Sequence, residues 1–165
     1  MRRAAACAMA LVGLGGCDGA SPDPGLDALL QVDGAQFRPG PFPADEGGPA
    51  AVMVAARRAE LVVGHTGGSL HGAVAPAARV AVLGLDGVDG TWLVPAGVPD
   101  LETPDLASVR ATFAVADDFP PGPFTLSLAA AGADGRFGAP ATTMIVADAE
   151  EPPAGELVVA LAWDG

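Results

Sequence analysis

Between residues 29 and 147 this chain holds no single long period. Short apolar runs are cut apart by clusters of glycine, proline and aspartate, with 23 glycines and 16 prolines among 165 residues. No long stretch repeats every 3.6 residues, as an amphipathic helix must, and the better-fitting period is two. In Val109-Arg110-Ala111-Thr112-Phe113-Ala114-Val115, alternation sets Val109, Phe113 and Val115 on one face and Arg110 and Thr112 on the other. Residues 124–128 alternate equally well. Residues 79–85 lead through Asp86-Gly87-Val88-Asp89-Gly90 into Thr91-Trp92-Leu93-Val94, the pattern of a hairpin. Ala133-Asp134-Gly135-Arg136 reads as a turn joining the Phe124 strand to one near residues 142–146. Residues 29–32, 52–55 and 60–63 are weaker strand candidates. Six to eight short strands at this spacing predict an all-β antiparallel sandwich over residues 29–147, about 120 residues and enough for one core.

That core must be built from small side chains. Half of the residues are hydrophobic but only 5% are aromatic. Lysine, asparagine and tyrosine are absent and Ile145 is the single isoleucine. These residue types share A/T-rich codons, so their scarcity points to a GC-rich genome rather than to a function.

The N-terminus differs in kind. Met1-Arg2-Arg3 is basic, and Ala4 to Gly16 is an uncharged run of 13 residues. That suits a secretory signal peptide, whose apolar region has about 7–15 residues, and falls short of the roughly 20 needed to span a membrane. The run ends Leu14-Gly15-Gly16-Cys17, which resembles the bacterial lipobox: an aliphatic residue, two small residues and a cysteine. The resemblance implies that Cys17 receives a diacylglycerol and that residues 1–16 are cleaved away. Acyl chains contribute about 0.8 kcal/mol per buried CH₂, so several on one residue make a stable anchor. Three alternatives stand beside it. They are a disulfide between Cys17 and Cys7, a non-lipid cleavage after Ala8-Met9-Ala10, and twin-arginine export through Arg2-Arg3. A disulfide would need Cys7, which lies inside the apolar run; cleavage at Ala10 leaves too short an apolar region; and the residues around the arginine pair do not complete the twin-arginine motif. Asp18, next to the cysteine, favours inner-membrane retention in enteric bacteria, a rule that leaves the choice of membrane open elsewhere. Residues 17–28, rich in proline, glycine and aspartate, read as a flexible tether. Beyond residue 16, six arginines stand against twenty acids, a net charge of −14. Such a chain repels nucleic acid and anionic headgroups.

Two further stretches resemble known families. Residues 120–138, PPGPFTLSLAAAGADGRFG, resemble the penultimate strand and last turn of bacterial immunoglobulin-like domains. A P-x-G turn precedes an aromatic-Thr-Leu strand there, and an Asp-Gly turn closes the hairpin. Phe124 stands where those domains often carry tyrosine, so the hydroxyl that would bond the backbone is lacking. After a linker at residues 148–156, the run ELVVALAWDG resembles the start of a second sandwich domain in uncharacterised lipoproteins of myxobacteria and their relatives. Residues 157–165 are accordingly expected to be an isolated strand outside the first core, the opening of a truncated second domain. The rival is that residues 157–163 return as an edge strand of the first sandwich. Deleting residues 149–165 separates the two. The expected change in unfolding free energy is within about 0.5 kcal/mol, as for changes away from packed sites. Loss of several kcal/mol, the scale for removing buried leucine, valine and tryptophan together, would make the tail integral.

Catalytic chemistry finds little to work with. GHTGGSLHG, residues 64–72, holds His65, Ser69 and His71. A nucleophile elbow needs G-x-S-x-G at a strand-to-helix turn, yet here His71 stands where the last glycine should be, and the stretch reads as a flexible glycine-rich loop. Two histidines fall short of the three or four ligands zinc requires. Asp86 with Asp89, Asp117 with Asp118, and Asp100, Glu102 and Asp105 all miss the calcium-loop pattern and suit turns instead. Trp92, Phe42, Phe119 and Phe137 could stack on a sugar or pack at the rim of the core. No cofactor and no metal site is expected, and no enzyme. The expected function is a membrane-anchored, non-catalytic lipoprotein of a Gram-negative cell envelope, structural or adhesive, facing the periplasm or the exterior. Its alternatives are a glycan- or peptide-binding module on the same anchor, and an accessory domain of a secreted system.

Overall fold

The computed structural model describes residues 24–56, 60–64, 66–97, 99 and 103–148. The expected signal peptide, the Leu14-Gly15-Gly16-Cys17 lipobox, linker residues 149–156 and the strand at 157–165 lie outside these residues. So do residues 17–23 of the expected tether.

The described residues form one helical turn, α1 (Leu26–Leu29), and ten strands: β1 (Leu30–Val32), β2 (Gln36–Arg38), β3 (Ala51–Ala56), β4 (Glu60–Val62), β5 (Thr66–Val74), β6 (Val80–Leu85), β7 (Thr91–Pro95), β8 (Ala107–Val115), β9 (Gly122–Ala131) and β10 (Ala141–Asp148). They make two sheets, ordered β1-β8-β5-β3 and β2-β7-β6-β9-β10-β4. The fold is all-β, as the period-two pattern predicts. One pairing departs from the antiparallel expectation: β4 runs parallel to β10, with Val146 opposite Glu60. A parallel partner cannot be reached through a tight hairpin. Here β4 arrives from β3, which belongs to the other sheet.

Alternation along β8 is as expected. Val109, Ala111, Phe113 and Val115 are buried and Arg110 and Thr112 exposed. The hairpin of β6 and β7 pairs Leu83 with Trp92, and that of β9 and β10 pairs Leu128 with Ala141. Leu70, Val74, Val109 and Phe113 from the smaller sheet meet Leu83, Leu85, Leu126, Leu128 and Ile145 from the larger in one apolar core. Burying each leucine there contributes about 1.5–3 kcal/mol. A cavity of about 20 Å³ remains between the sheets, lined entirely by apolar groups including Leu30, Leu83, Phe113 and Ile145. Without polar partners for a water it stays dry.

Three features differ from the sequence reading. The stretch at residues 64–72 is no loop for most of its length: residues 66–74 are β5, the strand between β8 and β3. Residues 26–29, at the end of the expected tether, form α1, and Leu26 is fully buried in the core. β2, too short to show a period, pairs with β7 at the sheet edge.

The larger sheet is also covered on its outer face. Val82 and Ala129 point away from the shared core yet are almost inaccessible. Residues 39–50 pass over this side, with Phe42 lying against Gly84, where an added Cβ would sit 2.6 Å from the Phe42 ring. Backbone bonds fasten this loop: Glu46 and Gly48 N–H both donate to the Phe137 carbonyl, at 2.8 and 2.9 Å.

Candidate functional site: a groove at the β6–β7 turn

The connection from β6 to β7 turns on glycines in the left-handed region, Gly87 (φ 76°) and Gly90 (φ 102°). It is held from three sides. Asp86 N–H donates to the Thr125 carbonyl at 2.9 Å. Leu26 N–H donates to the Asp89 carbonyl at 2.8 Å, tying α1 to the turn, and Gly90 N–H donates to the Gly40 carbonyl at 3.0 Å, tying the covering loop to it. Between this turn and the loop runs an open groove of about 410 Å³. Phe42 and Val88 supply apolar side chains at its wall, with the buried Leu85 behind them, and its polar residues are Ser127, Asp86 and Asp89. Phe42, Val88 and Ser127 are half-buried and both aspartates are exposed. The arrangement can hold a cationic group at its rim and an apolar stem along its wall.

The residues singled out in the sequence fall as follows. Ser69 and His71 lie two apart on β5, and His71 stands opposite Arg110 on one side and Ala55 on the other. A strand holds them where a nucleophile elbow would need a strand-to-helix turn. His65, Asp100 and Glu102 lie outside the described residues, as do Cys17 and the lipobox. Asp105, Asp117 and Asp118 sit in turns. Among the described residues no three histidine, cysteine or acidic side chains come together to hold a metal.

Among the described residues, Trp92 and Phe119 offer no open stacking face. Trp92 is only 7% exposed, and its Nε1–H donates to the Leu30 carbonyl at 2.9 Å. Phe119 is buried against Phe124, edge to face, with ring centres 4.9 Å apart. Phe42 and Phe137 are half-buried. The large apolar side chains exposed among the described residues are instead Val52 and Met53 on β3 and Met144 and Val146 on β10.

The Asp134 turn behaves as the sequence suggests. The Arg136 backbone N–H reaches Asp134 Oδ1 at 3.2 Å and its Nε–H reaches Oδ2 at 2.9 Å. These two bonds hold the Asp134 carboxyl below the usual carboxylate range. Both side chains are exposed, so the pair shapes the turn and adds little to stability.

Sequence reasoning found the acids of the groove as turn residues and Phe42 as a loop aromatic, but did not bring them together. The local signal was Pro41-Phe42-Pro43, an aromatic set between two prolines. Compared with protein-family models, with curated proteins and with solved structures, the chain matches none.

Proposed function

We propose that the chain is a lipid-anchored, non-catalytic lipoprotein of a Gram-negative cell envelope, with a structural or adhesive role carried by an immunoglobulin-like sandwich. The observation that carries the anchor is Leu14-Gly15-Gly16-Cys17, set after a basic start and an apolar run of signal-peptide length. The immunoglobulin-like reading draws support from the strand order. β3 and β4 read as one strand that changes sheets, antiparallel to β5 and then parallel to β10. β5 pairs with β8 in one sheet, and β6, β9 and β10 are neighbours in the other. In immunoglobulin lettering these are A, B and E against C, F and G, with β1 filling the place of D beside E. The ring contact between Phe119 and Phe124 stands where a tyrosine hydroxyl would otherwise fasten that corner.

The test is replacement of the anchor residue. Intact-mass spectrometry of the membrane fraction should find a mature N-terminus at Cys17 carrying acyl chains. Cys17→Ser should leave the membrane fraction or accumulate as precursor. An unmodified mature N-terminus at another position would overturn the reading. A second reading, a peptide-binding module on the same anchor, is favoured over a glycan-binding one by the burial of Trp92 and by the acid-rimmed groove.

A further inference from the structure

We infer that the groove between residues 41–42 and the β6–β7 turn is a docking site for an arginine or lysine side chain presented by an extended segment of a protein partner. The inference rests on the adhesive, peptide-binding reading of the domain and names the partner's chemistry. Three observations carry it.

The first is size and lining. At about 410 Å³ the groove lies in the range of small-ligand sites, about 300–1,000 Å³. Phe42 and Val88, both half-buried, offer an apolar wall that fits the methylene stem of a long basic side chain. A guanidinium over the Phe42 ring would gain a cation–π contact as well.

The second is charge. Among the described residues neither Asp86 nor Asp89 makes an ion pair; the ion pair found there joins Asp134 to Arg136. None of the described arginines lines the groove. Two acidic residues at the groove are therefore without an ion-pair partner among the described residues, and the mature chain around them carries −14. A field of that sign concentrates cations and repels acidic partners.

The third is preorganisation. The turn that carries both aspartates is bonded through Asp86 N–H to Thr125, through the Asp89 carbonyl to Leu26, and through Gly90 N–H to Gly40. A ligand would not have to order the turn, so less of its binding energy is lost to entropy. Two carboxylates with one hydroxyl are too few for calcium, which takes six to eight oxygens. They suit a forked guanidinium, which can reach two acceptors at once.

The test is titration of the mature protein, in detergent, with the peptide acetyl-Ala-Arg-Ala-Leu-Ala-amide. Its matched control carries citrulline, the neutral isostere, at the arginine. Amide resonances of Gly87, Val88 and Gly90 should move with the arginine peptide and stay still with the citrulline peptide. The doubly substituted Asp86→Asn, Asp89→Asn protein should keep its other amide positions, since both side chains are exposed, and should bind at least about ten-fold more weakly, the scale of one charge-assisted contact. Raising the salt should weaken binding in the unsubstituted protein. Equal shifts with citrulline, shifts spread over the acidic surface, or unchanged binding in the double variant would each overturn the assignment. Shifts with free arginine amide equal to those with the peptide would overturn the extended partner and leave a small-amine site. The titration does not depend on where the protein is anchored, so its failure leaves the Cys17 result untouched.

Discussion

Replacing Trp92 with alanine is expected to cost the domain about 3–5 kcal/mol, the range for removing a large buried aromatic side chain. Trp92 lies on β7 of the larger sheet and is 7% exposed. Its ring packs at 60° to that of Phe37, with centres 5.3 Å apart. Its Nε1–H reaches across to the carbonyl of Leu30, on β1 of the other sheet. The side chain thus fills one end of the core and bonds the two sheets together. Trp92→Phe separates these contributions. It keeps most of the apolar area but removes the donor from a carbonyl whose residue is itself buried, a loss of about 1–3 kcal/mol. Denaturant unfolding of both variants measures the two effects. A change within about 0.5 kcal/mol for alanine, the value for an open surface position, would return Trp92 to the role of a stacking platform. Loss of ligand binding in Trp92→Ala alone would not report a glycan site, because the fold would be failing with it.

Residues whose neighbours in sequence are also their neighbours in function were the easiest to read. β8 shows its buried face in its own alternation, and the β6–β7 and β9–β10 hairpins announce themselves through Asp-Gly turns. The groove was illegible for the opposite reason. Phe42 reaches Gly84 only because residues 39–50 fold over the outer face of the larger sheet, and nothing in a local pattern says which face a proline-rich loop will cover. The parallel edge of β4 on β10 was hidden in the same way: three residues are too few to show a period, and their partner lies at the far end of the domain. Leu26 falls within residues 17–28, whose proline, glycine and aspartate read as a tether. It is buried in the core and its N–H is bonded to Asp89, a residue the tether pattern cannot foresee.

Gly68→Ala is expected to destabilise the domain by about 1–3 kcal/mol, the range for overpacking a well-filled interior. Glycines made residues 64–72 look like a loop, since glycine in a strand usually weakens it. In β5 they do something else. The strand's inward positions are Gly68, Leu70, Gly72 and Val74, opposite Phe113, Ala111, Val109 and Ala107 of β8. Large and small residues are matched across the pair. The Phe113 ring lies over Gly68, and a Cβ there would run into its Cε2 and Cζ atoms. At Gly72 a Cβ would approach Leu128, a fully buried side chain of the facing sheet, to 2.5 Å. The aromatic ring covers backbone that glycine would leave bare, the arrangement by which aromatic residues rescue glycine in sheets. Phe113 is 7% exposed and has little room to turn aside, so the added methyl must push ring or strand. Combining Gly68→Ala with Phe113→Leu tests the cause. If the clash is the cause, the pair should cost less than the sum of the two single changes, by about 0.5–3 kcal/mol of coupling. Simple additivity, or a Gly68→Ala variant within about 0.5 kcal/mol of the parent, would mean that the Phe113 ring is not what requires glycine at this position.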